Sequence, residues 1–180
     1  MKVLRSFQAL VSSALLCAAP AAFAFDSISF EAGGGEDVKM VRLGMQWKWE
    51  RQWWRSNGTH VGGYWDASIA QWRGDRFRNI PGATQNITAI GITPVFRFQK
   101  DSGKGLYAEA GIGLNLLSDL YDNSGRQLST RFEFGDHIAV GYVFNNNLDL
   151  KLKIQHFSNG SIKKPNDGVN FAILSASYPF

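Results

Sequence analysis

The stretch Leu148-Asp-Leu-Lys-Leu-Lys-Ile-Gln-His-Phe-Ser-Asn-Gly160 decides how the chain is interpreted. Successive side chains of a β-strand point to opposite faces, so residues of the same parity share one surface. One face of this strand is apolar and ends in His156 and Ser158, and the other carries the polar side chains of Asp149, Lys151, Lys153 and Gln155. A soluble sheet would hide the apolar face in a core, whereas a membrane barrel would turn it toward lipid.

The N-terminus is typical of a secretory signal peptide. Two basic residues precede an apolar run, and Ala22-Phe-Ala24 supplies the small residues of a cleavage site. We therefore expect residues 1–24 to be a signal peptide cleaved after Ala24, and residues 25–180 to form one domain. Cleavage would remove Cys17, the only cysteine, so the mature chain is expected to have no disulfide and no thiolate metal site.

Charge and hydropathy narrow the function classes. The signal peptide holds two of the 19 basic residues and none of the 15 acidic ones, so the formal charge falls from +4 to +2. That charge is too weak to indicate nucleic-acid binding. The mature chain has no apolar run of about 18 residues, so no spanning helix is predicted. Export, the absence of cysteine and the many aromatic residues favour the outer membrane of a diderm bacterium.

The mature sequence reads as strands of about ten residues with period-two alternation, separated by clusters of Gly, Asn, Asp and Ser. Eight strands are predicted, at residues 27–33, 41–50, 60–72, 87–99, 106–116, 132–144, 148–158 and 170–180. Eight is the smallest common strand number in bacterial outer-membrane barrels, which keep short turns on the periplasmic side and longer loops outside. The sequence therefore predicts an all-β fold, an eight-stranded antiparallel transmembrane β-barrel, with the end of the seventh strand at the cell exterior.

A soluble eight-stranded barrel, such as a periplasmic lipid carrier, also alternates and is the competing fold. The polar faces carry few charges and many glycines, which favours a narrow polar lumen over a solvent-exposed surface.

Two residues interrupt the alternating pattern of the predicted strands. Pro94 is expected to break the ladder of the fourth strand and to mark a bulge or a bend. Asp136 breaks the apolar face of the sixth strand and has no explanation in the sequence.

His156 and Ser158 are the candidate catalytic pair. They are two residues apart, or roughly 7 Å along a strand, and a polar side chain on a lipid-facing surface costs free energy unless something satisfies it. A histidine beside a serine is the arrangement of a general base with its nucleophile. The other two histidines are given ordinary roles, His60 as a surface side chain and His137 as part of a lumen network near Glu133.

A third residue is needed to orient the imidazole. If the last two strands form a hairpin, a register that places Asn170 across from His156 leaves Ser158 across from Gly168. Asn170 is therefore the predicted orienting residue, although its uncharged amide would stabilise an imidazolium less than a carboxylate. Asp167 has the charge but the opposite parity, and it ranks second.

The residues after the serine are candidates for binding an oxyanion. Asn159 offers a side-chain amide and Gly160 a backbone N–H, both of which suit a tetrahedral intermediate. Ordinary turn chemistry is the alternative, because Asn-Gly is a strong turn signal. No acidic or histidine cluster has metal-ligand spacing, and neither a metal nor another cofactor is expected.

The mature sequence resembles the PagL-type lipid A 3-O-deacylases. The similarity is most specific in His156-Phe-Ser-Asn-Gly-Ser-Ile-Lys-Lys-Pro-Asn-Asp-Gly168, and it extends to Thr93-Pro-Val-Phe-Arg-Phe98, Tyr107-Ala-Glu-Ala-Gly-Ile-Gly113 and Phe132-Glu-Phe-Gly-Asp136. The resemblance implies an outer-membrane barrel that hydrolyses the ester at position 3 of the glucosamine backbone of lipid A, with a lipid-facing triad and no metal.

By motif position, His156 and Ser158 match the histidine and serine of that triad, and Asn159 and Asn166 match asparagines near the oxyanion site. One position departs from the pattern, because Asn170 stands where the best-known members of the family carry glutamate. Three explanations are open: the Asn170 amide is sufficient to orient the imidazole, Asp167 takes the place of the glutamate, or this member of the family hydrolyses its substrate slowly.

The predicted function is a Ser/His esterase that removes the 3-O-linked acyl chain of lipid A. Its expected partners are lipopolysaccharide as substrate and outer-membrane lipid, with a homodimer as a further expectation and no nucleic acid. The alternative is a non-catalytic structural or lipopolysaccharide-binding barrel whose triad has degraded at Asn170.

Overall fold

The computed structural model describes residues 24–180. The predicted signal peptide therefore lies outside the described residues, except for Ala24. The described part of the chain forms eight long strands and three short ones: β1 (Ser27–Gly35), β2 (Val38–Lys48), β3 (Trp53–Ser56), β4 (Thr59–Gly74), β5 (Gln85–Lys100), β6 (Gly105–Leu117), β7 (Asp122–Asn123), β8 (Arg126–Gln127), β9 (Phe132–Val143), β10 (Asp149–Ser158) and β11 (Val169–Pro179).

The eight long strands form a closed antiparallel barrel. Each pairs with the next long strand along the chain, and β1 pairs with β11 to complete the circle. This confirms the predicted fold class and strand number, with strand ends that differ from the predicted ones by at most three residues. The short strands are additions that the pattern did not predict: β3 pairs antiparallel with the start of β4, and β7 pairs with β8 within a loop. In the part of the chain that is described, no helix is long and apolar enough to cross a membrane.

Inward and outward residues alternate along each long strand. On β10, Lys151 and Lys153 are buried in the lumen, whereas Leu152 and Ile154 on the opposite face are 64% and 55% exposed. Apolar side chains cover the outer wall of the other strands in the same way, as at Val41, Leu43, Ile90, Ile92, Ile138 and Val140. Charges inside and apolar groups outside are the reverse of a soluble barrel and match a barrel that faces lipid.

The lumen is filled by two layers of side chains. One layer is ionic: Glu31 contacts Lys153 at 2.6 Å and Arg42 at 3.2 Å, and Glu109 contacts Lys151 at 2.7 Å. The other layer is apolar and lies toward the end of the barrel that carries the long loops, where Trp72, Phe157 and Phe171 form its centre. The expected polar lumen is thus polar over only part of its length.

The two ends of the barrel differ in their connections. Loops 75–84, 118–131 and 159–168 lie at one end with the two-residue turn between β1 and β2. The short connections 101–104 and 144–148 lie at the other end with connection 49–58, which contains β3. The connections at the long-loop end contact each other: Asn123 Nδ2 donates to the carbonyl oxygen of Asp37 in the β1–β2 turn, and Ser129 Oγ donates to that of Lys163. Because outer-membrane barrels keep their longer loops outside, we expect β10 to end at the cell exterior.

Pro94 interrupts a ladder without shifting it. The β5–β6 pairing has Ile92 opposite Leu114 and Val95 opposite Gly111, with no pair between them, and the register is the same on both sides. The expected loss of ladder hydrogen bonds is confirmed, because proline has no N–H to donate. The expected bulge is absent from this strand pair, and β5 runs unbroken from Gln85 to Lys100.

The predicted surface position of His60 is wrong. Its side chain is buried, and its ring contacts Asp101 Oδ1 at 2.8 Å and Gln99 Nε2 at 3.1 Å. The hydrogen bond with His60 lowers the pKa of the Asp101 carboxyl. His60 lies beside polar loop residues in the sequence, but it shares the parity of Tyr64 and Asp66 on β4, so its side chain points into the barrel.

Replacement of Lys151 by methionine tests the ionic layer. The substitution leaves the buried Glu109 carboxylate without its lysine partner, and breaking a buried pair on one side costs about 3–5 kcal/mol. We expect Lys151→Met to lower the free energy of unfolding by about 3 kcal/mol, measured by denaturant titration in detergent micelles. The control is Lys39→Met, because the Lys39 side chain is 80% exposed; its effect should stay within about 0.5 kcal/mol. Equal effects of the two substitutions would contradict a structural role for the ionic layer.

Candidate active site

The end of β10 presents His156 and Ser158 on the outer wall of the barrel. Both side chains are partly exposed, and Phe157 between them is buried in the lumen. The Phe157 ring lies 4.7 Å from the Trp72 ring and 5.9 Å from the Phe171 ring, measured between centroids. Because neighbouring side chains on a strand point in opposite directions, this inward packing directs the histidine and the serine toward lipid.

Asn170 holds the imidazole from the neighbouring strand. The β10–β11 register places Asn170 directly across from His156, as the sequence predicted, and His156 Nδ1 lies 2.7 Å from Asn170 Oδ1. An amide oxygen only accepts hydrogen bonds, so Nδ1 carries the proton and Nε2 is left as an acceptor. This tautomer is the one that a general base requires.

Gly168 provides the space in which the imidazole lies. A Cβ atom at residue 168 would be 2.5 Å from His156 Cε1 and 3.2 Å from Nε2, too close for any side chain to fit without displacing the ring. The last β10–β11 pair is Phe157 with Val169, which brings Gly168 next to Ser158 along the ladder. The imidazole therefore leans toward the serine end of the strand. The register predicted from the sequence places Gly168 across from Ser158 and assigns it no role.

Ser158 and His156 lie on the same face of β10 without a hydrogen bond between their side chains. Among residues 24–180, the Ser158 hydroxyl makes no hydrogen bond to His156, whose only one is to Asn170. Catalytic hydrogen bonds of enzymes without substrate are often long or poorly aligned and shorten when the substrate binds.

The loop after Ser158 is fixed by two asparagines. The backbone N–H of Asn159 donates to Asn166 Oδ1 at 2.9 Å, and the buried Asn159 side chain donates from Nδ2 to the carbonyl oxygen of Lys163 at 2.9 Å. The Asn159 amide is thus engaged inside the loop and not on the outer wall. Gly160 follows at the surface with a positive φ of 63°.

Asp167 is not near the imidazole. Its Oδ2 accepts a hydrogen bond of 2.8 Å from the backbone N–H of Gln127, and its own N–H donates to the Gln127 carbonyl oxygen at 3.0 Å. Of the two residues that the sequence offered as third member, the structure brings Asn170 to His156 and turns Asp167 to the loop that carries β7 and β8.

An apolar groove begins beside His156 on the outer wall. It passes between β5, β6, β9 and β10, and the small outward side chain of Ala110 lies in it. Its sides are formed by Pro94, Phe96, Ile112, Ile138 and Ile154. The groove lies where the β5–β6 ladder is interrupted at Pro94, and most of the side chains that line it are apolar.

Comparison with known proteins shows to which family the chain belongs. The family model described as lipid A 3-O-deacylase (PagL) matches residues 39–179. The chain belongs to this family. The resemblance that the sequence suggested is thereby confirmed, and with it an ester hydrolase of the bacterial outer membrane.

Individual members of the PagL family agree over most of the chain. Lipid A deacylase PagL of Pseudomonas aeruginosa is 32% identical over 145 residues, which cover 81% of this chain and 80% of the relative. Lipid A deacylase PagL of Bordetella bronchiseptica is 30% identical over 181 residues, with coverage of 95% and 93%.

Solved structures show the same barrel. The crystal structure of the outer membrane enzyme PagL superposes with a TM-score of 0.74 at 27% identity and covers 86% of this chain and 99% of its own. Neisserial surface protein A superposes with a TM-score of 0.50 at 14% identity, covering 86% and 94%, and at that identity it shows the fold alone.

Substitution of Gly168 by alanine tests the seat of the imidazole. The new methyl group would displace the ring, and a misplacement of about 1 Å at a catalytic group can cost roughly 100-fold in rate. We expect Gly168→Ala to lower esterase activity by about 10- to 100-fold at unchanged folding. The matched control is Gly82→Ala, which has the same kind of positive φ, 80°, but open space around it. Full activity of Gly168→Ala would contradict this role.

Proposed function

We propose that this PagL family member hydrolyses the ester-linked acyl chain at position 3 of the lipid A backbone, with Ser158 as nucleophile and His156 as general base. The hydrogen bond between His156 Nδ1 and Asn170 Oδ1 on the lipid-facing wall carries the proposal. It fixes an imidazole with a free Nε2 on a surface where such a group is otherwise unfavourable.

The proposed reaction proceeds in two halves. Ser158 Oγ attacks the acyl carbonyl carbon while Nε2 of His156 takes the hydroxyl proton. The tetrahedral intermediate collapses, the bond to the sugar oxygen breaks, and the imidazolium returns the proton to that oxygen. Water then attacks the acyl-enzyme with His156 again as base, which releases a 3-hydroxy fatty acid and restores Ser158.

The oxyanion would be held at the start of loop 159–168. Asn166 Oδ1 accepts from the Asn159 backbone, which turns the Asn166 NH2 group away from that contact, and no acceptor engages it within residues 24–180. The Gly160 backbone N–H is the second donor. The Asn159 side chain, already bonded to Lys163, supports this loop instead of donating to the oxyanion.

The apolar groove beside His156 supports an acyl substrate. It starts at the proposed base and continues along the outer wall between apolar side chains such as Ile138 and Ile154. A chain lying there would stay within the hydrocarbon layer while its ester reached Ser158.

Two expectations from the sequence stay predictions: cleavage of the signal peptide after Ala24, and assembly into a homodimer.

A second candidate function is a non-catalytic barrel that binds lipopolysaccharide. The observation that favours it is Asn170, because an amide orients an imidazole but does not balance its positive charge. The two candidates differ in whether the lipid A molecule changes.

Loss of the nucleophile gives the direct test. Outer membranes of cells that produce Ser158→Ala should contain lipid A of the same mass as cells without the protein, whereas the unaltered protein should remove one 3-hydroxy fatty acid, as read by mass spectrometry. The control is Ser102→Ala, in the short turn at the opposite end of the barrel, which should retain activity. Deacylation by Ser158→Ala would show that the proposed nucleophile is wrong.

Restoring an acid at residue 170 separates the two candidates. A carboxylate in place of the amide would stabilise the imidazolium, and a gain of about tenfold corresponds to about 1.4 kcal/mol. We expect Asn170→Glu to raise kcat on purified lipid A by several-fold up to about tenfold, and Asn170→Ala, which loses the orienting contact, to lower it by a similar factor. Folded wild-type and Asn170→Glu proteins that both leave lipid A intact would favour the non-catalytic barrel.

A further inference from the structure

A carboxylate lies on the other side of His156 from Asn170. In the β9–β10 ladder, Asp136 is directly opposite His156, and in the β10–β11 ladder, Asn170 is. Side chains of directly opposite residues start from Cβ atoms roughly 4.5–5.5 Å apart. Asp136 is partly exposed on the outer wall and lines the same groove as His156. On the outer wall, His156 therefore has Asn170 of β11 on one side and Asp136 of β9 on the other.

Asp136 has no structural task that would explain it. Within residues 24–180, its carboxylate forms no ion pair and no side-chain hydrogen bond; only its backbone oxygen accepts, from Gln155. Its other ladder neighbour is Ile112 on β6, and the next outward residue of β9 is Ile138. An unpaired carboxylate in this apolar setting costs free energy that the fold does not recover.

We infer that Asp136 supplies the negative charge that Asn170 lacks. The division of labour follows from the register: Asn170 occupies Nδ1 and sets the ring orientation, while Asp136, directly across from His156 on β9 and in the same groove, stabilises the imidazolium that forms when Nε2 takes the proton of Ser158. In a groove lined by hydrocarbon, a neighbouring charge acts more strongly than it would in water. Asp136 is thus a positioning residue that acts through His156, and this inference rests on the proposed Ser/His mechanism.

The amide at residue 170 is compatible with a triad whose charge comes from another strand. A triad needs its carboxylate near the imidazole, but the strand that carries it is not fixed by chemistry. Here the orienting contact and the compensating charge come from two different strands, β11 and β9, on either side of β10.

A double-mutant cycle tests this division. Asp136→Asn, Asn170→Glu and the double variant would be compared with wild type for kcat and KM on purified lipid A in detergent. We expect Asp136→Asn alone to lower kcat at least tenfold with KM within twofold. In the Asn170→Glu background the same substitution should cost threefold or less, because the glutamate replaces the lost charge. Neighbours that share a partner are expected to be non-additive in this way.

Two further variants separate charge from structure. Asp136→Glu keeps the charge and should retain at least a third of wild-type kcat. Asp119→Asn removes a carboxylate that is exposed in loop 118–131 and should leave kcat unchanged. Circular dichroism of each variant establishes that the barrel has formed.

The outcomes are distinguishable. An active wild type with unaltered kcat in Asp136→Asn overturns the role of Asp136 and leaves the Ser/His mechanism standing. A loss of equal size in both backgrounds also overturns it, since the charge at residue 170 would then be no substitute. Inactive wild type, or active Ser158→Ala, refutes the proposed function itself, and the role of Asp136 falls with it.

Discussion

The inward packing of Phe157 against Trp72 and Phe171 determines what the outer wall presents at this end of β10. Strand side chains alternate strictly, so a shift of one residue would move His156 and Ser158 into the lumen and Phe157 into the bilayer. The two candidate catalytic residues are therefore oriented by a burial in which they take no part. Their outward direction therefore depends on the packing of the aromatic layer in the lumen.

The ionic layer fixes the same parity farther along the strand. Lys151 and Lys153 lie inside, where Glu109 and Glu31 bind them, and neither lysine could face the hydrocarbon at a comparable free energy. Buried ion pairs are not in themselves a strong source of stability, because desolvation offsets much of the attraction. Their effect here is on specificity, since any other register leaves charges without partners.

Features that depend on period-two alternation and hairpin register could be predicted from the sequence. The contact between His156 and Asn170 is one of them, because the two residues are joined by a single loop and their parities fix the pairing. Contacts across the lumen could not be predicted. Lys153 and Glu31 are 122 positions apart, and they meet only because the sheet closes.

The wrong prediction for His60 and the missing explanation for Asp136 have the same cause. The polar sequence neighbours of His60 favour a surface position, but His60 has the same parity as Tyr64 and Asp66, whose side chains face the lumen. Asp136 was visible in the sequence as a charge on an apolar face, but its meaning depends on β10 lying beside it in the barrel. Local pattern shows that such a residue is unusual, and only the assembled sheet shows what it faces.

The two filled layers also bear on how the cell tolerates this protein. An eight-stranded barrel is just wide enough inside to be packed by side chains, and here aromatic rings follow salt bridges along the axis. Ions and small solutes thus have no continuous aqueous route through it. Many copies could be inserted without adding a leak, so abundance can follow the need for lipid remodelling while the permeability barrier is preserved.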